Sequence, residues 1–219
     1  MKLAPENSKY VYCIIKSQEE TVSFGNIGFQ GHEVYTLDCV DFCPVVSDEP
    51  FKKYEIDNEE EINIHQNVVK EVMKDYSIIP VAYGMGFKNK KLIQVSMRAG
   101  KKAIKKSFTL VDNKVELGIK IFLPKDTEIN NEKREQCKTE STVNFEKIAS
   151  QSKSLNLFSP RLLMNTTYLV DKEKIQIFSD EVEKLKLKYS DYKFQYSGPW
   201  PPYNFVDIHI LSNKKGGFR

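Results

Sequence analysis

Residues that could carry acid–base chemistry are few in this chain, and two of them lie close together near its end. Asp207 and His209 alternate with apolar residues, so a strand would place both on one side as a carboxylate–imidazole dyad. No serine or cysteine is visibly paired with them as a nucleophile. The nucleophile elbow, the P-loop and the H-E-x-x-H motif are absent as well. An enzyme is therefore the third of the functions that the sequence allows.

The cysteines and the other histidines could bind a metal ion or be buried. Cys39 and Cys43 are close in sequence, but even with His32 they supply too few ligands for a structural zinc ion. We therefore expect buried, reduced thiols, no metal and no cofactor. His65 lies on the apolar side of a predicted helix, which favours a buried ring with a hydrogen-bond partner.

A basic cluster follows in the middle of the chain, at Lys101, Lys102, Lys105 and Lys106. The chain has 33 basic and 30 acidic residues, a net charge of +3, and the basic residues are mostly lysine. Nucleic-acid sites usually use arginine and interleaved aromatic residues, which this cluster lacks. The cluster thus predicts a solvated helix face, and a small-molecule or nucleic-acid binding module remains the alternative function.

Length and composition indicate a packed protein. The chain has 219 residues, of which 40% are apolar and 29% charged. No apolar run approaches the roughly 18 residues of a membrane span, and "MKLAPENSKY" lacks the apolar core of a signal peptide. We therefore expect a soluble, cytoplasmic protein that does not bind a membrane.

The first half predicts an α+β domain over residues 1–106. "YVYCIIK", Tyr10–Lys16, is apolar on both sides, as in a central strand, and one or two strands follow in residues 33–46. Asn58–Tyr76 predicts a helix that Asn58 caps, with acidic residues in its first turn. A second helix is predicted at Lys90–Met97.

The second half, residues 107–219, alternates strands and helices. "FTLVDNKVELGIKIFL" predicts two strands joined at Asp112-Asn113, and the longer one places five apolar residues on one face: Val115, Leu117, Ile119, Ile121 and Leu123. Further elements are predicted in this order: helix Val143–Lys153, strand 161–170, helix Lys174–Tyr189, and strands Tyr192–Tyr196 and Tyr203–Leu211. Helices on a mostly antiparallel sheet indicate an α+β protein whose second domain is modified ferredoxin-like.

One segment, "YSGPWPPYNFV", stands between the last two predicted strands and holds the only tryptophan, Trp200. Its prolines fix φ and stiffen the backbone, so Trp200 could fold back over the sheet as a buried side chain. Trp200 and Tyr203 could instead form an aromatic anchor for a partner. We expect the buried arrangement, with a cost of about 3–5 kcal/mol for Trp200→Ala. A proline-rich ligand for an SH3 or WW domain is disfavoured, because the segment is held between two strands.

This segment resembles the C-terminal signature of the gas vesicle protein F/L family. Other stretches resemble that family in the same order: "YVYCII", the helix with His65 and Val68, "IIPVAYGMGF", "KVELGIKIF" and "MNTTYLVDKE". The resemblance covers about residues 8–211. It marks the signature residues as possible partner contacts: Gly198, Pro199, Trp200, Pro201, Pro202, Tyr203, Asn204 and Phe205.

The resemblance implies a non-enzymatic accessory protein of the gas vesicle. Members are expected to have an α+β domain followed by a modified ferredoxin-like domain. Their expected partners are the hydrophobic shell protein and other gas vesicle accessory proteins. By covering the apolar shell protein, such a factor would prevent its aggregation before it joins the vesicle wall.

Overall fold

The computed structural model describes residues 8–39, 41–124, 131–207 and 209–211 of the chain. Contacts within the chain divide it into two compact units. The first unit is Met1–Asp112 together with Phe205–Arg219, and the second is Asn113–Asn204. Both combine helices with an antiparallel sheet, as the predicted α+β class requires.

Among the described residues, the first unit contains an antiparallel sheet and two helices. Its elements are β1 (Lys9–Lys16), β2 (Ser23–Gly25), β3 (Val34–Thr36), β4 (Phe42–Asp48), α1 (Glu59–Asp75), β5 (Ile78–Pro80), β6 (Gly86–Phe87) and α2 (Lys90–Val111). The sheet order is β2-β3-β4-β1-β5, and β6 also pairs with β1. β1 is central because it pairs with β4 on one side and with β5 and β6 on the other. Tyr10–Ile15 are all buried, so both faces of the strand are covered, as predicted.

Helix α1 begins as its sequence predicts. The Asn58 side chain accepts a hydrogen bond from the backbone N–H of Glu61 at 3.2 Å. Glu59, Glu60 and Glu61 place negative charge at the positive end of the helix dipole. The buried side of α1 includes His65, Val69 and Val72.

Helix α2 is longer than predicted. The sequence indicated a helix that ends at Met97 and a strand from residue 108, but one helix runs from Lys90 to Val111. Ile104, Phe108 and Val111 continue its buried stripe at helical spacing. Asn113, at φ +54°, lies in the turn after this helix, which leads into a strand. The predicted boundary between residues 106 and 107 lies inside α2.

The second unit has the β-α-β-β-α-β order of a ferredoxin-like fold. Its described elements are β7 (Lys114–Phe122), α3 (Asn131–Ile148), β8 (Gln151–Ser154), β9 (Leu162–Asp171), α4 (Ile175–Lys188) and β10 (Lys193–Trp200). The sheet order is β10-β7-β9-β8, and every pairing is antiparallel. The fold class is therefore confirmed.

The core of the second unit follows the predicted alternation. The predicted inward residues of β7 are all buried, and so is Leu123. Helix α4 contributes Phe178, Val182 and Leu185, which are also buried. The ring of Phe178 stacks on Phe145 of α3 with 4.7 Å between centroids.

Helix α3 begins earlier than predicted, and β8 was not predicted at all. The polar stretch of residues 131–140 belongs to α3, whose buried stripe is limited to Cys137, Ser141 and Phe145. The four residues of β8 are polar and exposed, so they carry no apolar alternation.

Candidate functional site

The signature segment ends a strand and does not form a loop between two strands. Gly198, Pro199 and Trp200 close β10, and Trp200 pairs with Glu116 of β7 after an irregularity that follows Ser197. The Gly198-Pro199 peptide bond is cis. Gly198 has φ +120°, and a Cβ at this position would lie 2.8 Å from the Glu116 carbonyl oxygen. Glycine is therefore required here for both its backbone conformation and its small size.

The predicted closing strand Tyr203–Leu211 is wrong. Residues 203–206 and 209–211 form turns and a bend, and Ile208 lies outside the described residues. Asp207 accepts a hydrogen bond from the His209 backbone N–H at 3.0 Å, and its carbonyl accepts one from Ile210 at 3.1 Å. An aspartate that bonds the backbone two residues on favours a turn over a strand. The expected strand face shared by Asp207 and His209 therefore does not form.

A buried carboxylate fixes the end of the signature segment. Glu116, 7% exposed, accepts two hydrogen bonds from Asn204: one from the backbone N–H at 2.9 Å and one from the side-chain amide at 2.6 Å. Lys153 of β8 donates to the Asn204 carbonyl oxygen at 3.2 Å. Pro201 and Pro202, between Trp200 and this clamp, are buried. Sequence reasoning missed this clamp.

Trp200 is not the mostly buried side chain that we expected. It is 38% exposed, more than Pro201 or Pro202. The prolines fill the buried positions of the segment, and the indole borders a groove of about 220 Å³ beside Gly118, Gln195 and Ser197. The expected stability loss of 3–5 kcal/mol for Trp200→Ala is therefore too large for this position, because truncating a partly exposed side chain removes less buried surface.

Two further exposed hydrophobic side chains lie in the segment between β8 and β9. Leu157 is 57% exposed and Phe158 is 67% exposed. The Lys120 ammonium lies 5.2 Å from the centroid of the Phe158 ring, within the range of a cation–π contact. A second groove, of about 340 Å³, runs beside Phe158, and Gln195 lines both grooves.

One face of the sheet of the second unit lies away from its core, and we call this face, with the exposed side chains beside it, the open sheet surface. Successive strand residues point to opposite faces, so the residues between the inward positions of β7 lie away from the core, on the face that carries Trp200. Its members are Lys120, Phe158, Lys193, Gln195, Ser197 and Trp200, together with the buried Glu116; the exposed Leu157 is the chain neighbour of Phe158. Aromatic groups thus lie beside lysines on a rigid sheet, an arrangement that suits partner binding better than catalysis.

His65, by contrast, is buried as predicted, with 2% of its surface exposed. Val81 offers a carbonyl acceptor 3.2 Å from Nε2, so this nitrogen carries the proton, and Nδ1 accepts from the Tyr10 hydroxyl at 2.9 Å. The Tyr10 oxygen in turn accepts the Gly84 N–H at 2.9 Å. Burial lowers the pKa of His65 to about 4, which keeps the ring neutral at neutral pH. The ring connects α1 to β1 and is structural.

The four cysteines are buried free thiols, as predicted. Burial raises the pKa of Cys39 and of Cys137 to about 11, so neither is a reactive thiolate. Within the described ranges, no group of three or more His, Cys, Asp or Glu side chains could hold a metal ion. None of the described helices is long and apolar enough to cross a membrane.

Comparison with known proteins gives a consistent result. The family model described as gas vesicle synthesis protein GvpL/GvpF matches residues 8–141 and 128–207. Gas vesicle protein F1 of Halobacterium salinarum is 34% identical over 214 residues, covering 96% of this chain and 98% of the relative. Gas vesicle protein F of Haloferax mediterranei is 29% identical over 213 residues, covering 95% and 97%.

Solved structures show the same fold. The crystal structure of GvpF from Anabaena sp. PCC7120 has a TM-score of 0.80 at 18% identity and covers 92% of this chain and 99% of that one. GvpF from Microcystis aeruginosa has a TM-score of 0.77 at 15% identity, covering 91% and 99%.

Proposed function

Because the chain belongs to the gas vesicle synthesis protein GvpL/GvpF family, we propose that it is a non-enzymatic assembly factor that binds the hydrophobic gas vesicle shell protein. In this role it covers the apolar surface of newly made shell subunits and prevents their aggregation until they join the vesicle wall. It acts in the cytoplasm at the growing vesicle, together with other accessory proteins.

The observation that carries this proposal is the open sheet surface. Trp200 at the end of β10, and Leu157 and Phe158 in the segment between β8 and β9, leave a large part of their side chains in contact with water, although the sheet beside them is otherwise well packed. Exposed aromatic groups of this kind are typical anchors of protein interfaces. An apolar shell subunit could cover them without any change in the fold.

Rigidity supports the same assignment. The Glu116–Asn204 clamp and the fixed backbone at Gly198 hold Trp200 in one position before a partner arrives. A preorganised surface loses little conformational entropy on binding, so more of the contact energy appears as affinity. In this proposal the signature residues 198–205 shape and present the surface, and Trp200 is the residue that contacts the partner.

A non-enzymatic role agrees with the chemistry of the described residues. Asp207 and His209 form a turn, His65 is neutral and inaccessible, and the thiols are buried. The open sheet surface offers lysines, an amide and aromatic rings, and both oxygens of its one carboxylate, Glu116, accept hydrogen bonds from Asn204.

Suppression of shell-protein aggregation tests the proposal. Purified shell protein diluted from denaturant should scatter light strongly alone and weakly with the wild-type accessory protein. The double variant Trp200→Ser with Phe158→Ser should lose most of this protection, because it removes both aromatic anchors.

Leu187→Ser is the matched control, since Leu187 of α4 is 82% exposed on the helical side of the same unit. This variant should protect as well as wild type. Wild-type protein that fails to suppress scattering would contradict the function. Equal protection by the double variant would contradict the assigned surface.

A further inference from the structure

The exposed side of α2 is strongly basic. The sequence of this helix contains no acidic residue and seven basic ones: Lys90, Lys91, Arg98, Lys101, Lys102, Lys105 and Lys106. Lys101 lies 2.7 Å from Asp41, which neutralises that position. Among the described residues, Arg98 and Lys102 form no ion pair and are exposed. Six like charges therefore remain on one side of a single helix.

An apolar patch lies on the same side of α2. Leu92 is 44% exposed and Val95 is 49% exposed. Leu92, Val95, Ala99, Lys102 and Lys106 follow each other at alternating spacings of three and four residues, which places them in one stripe along the helix. The stripe is about 21 Å long at 1.5 Å per residue. It is apolar at its beginning and cationic at its end.

A turn before α1 has the complementary properties. Ile56 is 90% exposed, more than any other large hydrophobic side chain among the residues that the structure describes. The Asn58 backbone N–H donates to the Glu55 carbonyl at 3.2 Å, so a tight turn presents Ile56 to solvent. Three exposed acidic residues surround it: Asp57, Glu59 and Glu60. The structure describes no ion pair for these three, whereas Glu61 is held by Lys52 and Tyr83.

We propose that the acidic Glu55–Glu60 turn of one copy of this chain docks on the basic stripe of α2 of a second copy. Ile56 packs between Leu92 and Val95, and the neighbouring carboxylates face Arg98 and Lys102. The match in both charge and apolar character argues for this occupant. The contact joins two different surfaces, so it can repeat from copy to copy. It lies on other residues than the open sheet surface and does not depend on the proposed function.

Binding of a nucleic acid would account for the basic residues of α2 but not for the apolar residues of the same stripe. Phosphate groups would neutralise Arg98 and Lys102, yet they offer nothing to cover Leu92 and Val95. An exposed isoleucine at the tip of an acidic turn would also remain unexplained. Both observations follow from contact between two copies.

Reversing the charges of each surface by mutation tests the proposal, with self-association measured by sedimentation velocity. Wild-type protein should form dimers or larger species whose population falls at high salt, since exposed charges are screened beyond about 8 Å at physiological ionic strength. Asp57→Lys with Glu60→Lys, and separately Arg98→Glu with Lys102→Glu, should each weaken self-association by about tenfold or more, because like charges then face each other. An equal mixture of the two double variants should associate again, since each then finds a partner of opposite charge.

Two further variants separate a specific contact from a general charge effect. Ile56→Ala leaves the charge unchanged and should weaken association by roughly tenfold through lost apolar burial. Lys138→Glu with Lys147→Glu changes the net charge as much as the α2 variant does, but on α3, and should associate like wild type. Circular dichroism confirms that each variant is folded.

A monomeric wild-type protein across the accessible concentration range would overturn the proposal. So would a mixture of the two charge-reversed variants that stays monomeric. Binding of a single-stranded RNA oligonucleotide by wild type but not by the Arg98→Glu, Lys102→Glu variant, without self-association, would instead assign the helix to nucleic acid.

Discussion

Changing Glu116 to glutamine should release the end of the signature segment. The carboxylate is 7% exposed and accepts two hydrogen bonds from Asn204, at 2.9 Å and 2.6 Å. A glutamine amide has nearly the same volume, but one of its two polar groups is a donor. It can therefore accept only one of these bonds, and its NH₂ group faces a second donor.

The loss of stability in Glu116→Gln has two sources. One hydrogen bond to a charged group is lost, and one N–H donor of Asn204 then faces the glutamine NH₂ group, which cannot accept it. Such bonds contribute about 1.5–3 kcal/mol each. We expect Glu116→Gln to lower the free energy of unfolding by about 2–3 kcal/mol. For a chain of this size the melting temperature should fall by roughly 5–10 °C.

Trp200, the only tryptophan, lies in the second unit and reports its unfolding through fluorescence in a urea titration. Asn204→Ala removes the shorter of the two bonds, so a double-mutant cycle with Glu116→Gln should give a coupling energy of at least about 1 kcal/mol. Glu173→Gln, at an exposed position of the same unit, is the matched control and should change stability by less than about 0.5 kcal/mol. A loss no larger than this for Glu116→Gln would refute the clamp.

The remaining predictions concern His65, Gly198 and Trp200. The folded pKa of His65 is lowered from 6.5 to about 4, so the unfolded chain binds the proton more readily between these values and stability falls as the pH drops. Wild-type protein should lose about 2 kcal/mol more stability than His65→Gln between pH 7 and pH 5 in urea titrations, and equal losses would contradict the buried neutral ring. Gly198→Ala should cost about 2–4 kcal/mol by thermal melting, because its Cβ would meet β7 and its φ is positive; an unchanged melting temperature would show that β7 yields easily. Trp200→Ala should cost about 1 kcal/mol or less in the same assay, and a loss of 3 kcal/mol or more would mean that the indole is buried.

Elements with a strong apolar period could be predicted from the sequence. α1, β7 and α4 each present a buried side that repeats at the period of its structure, and β1 is a continuous apolar run that is buried on both faces, so packing and local pattern agree. The signature "GPWPP" also indicated a special backbone at the correct place. Its resemblance to the gas vesicle protein F/L family also implied an α+β domain followed by a modified ferredoxin-like domain.

Other features depend on contacts that the sequence does not display. α3 and β8 are polar, so their apolar pattern is too weak to predict them, and the end of α2 contains β-branched and aromatic residues that favour a strand. Glu116 and Asn204 are 88 residues apart, and neither has a local feature that indicates the other. Leu157 and Phe158 form an apolar pair within a polar stretch, and this signal could have pointed to the surface before the structure did.

Site-specific photo-cross-linking tests directly whether the open sheet surface binds the shell protein. A benzoylphenylalanine placed at Phe158 lies on the open sheet surface, whereas the same probe at Leu187 lies on α4 and serves as the control. After irradiation with purified shell protein, we expect an adduct of accessory and shell protein from position 158 and little or none from position 187. Adducts of equal yield from both positions, or from position 187 alone, would contradict the claim that this surface binds the shell protein.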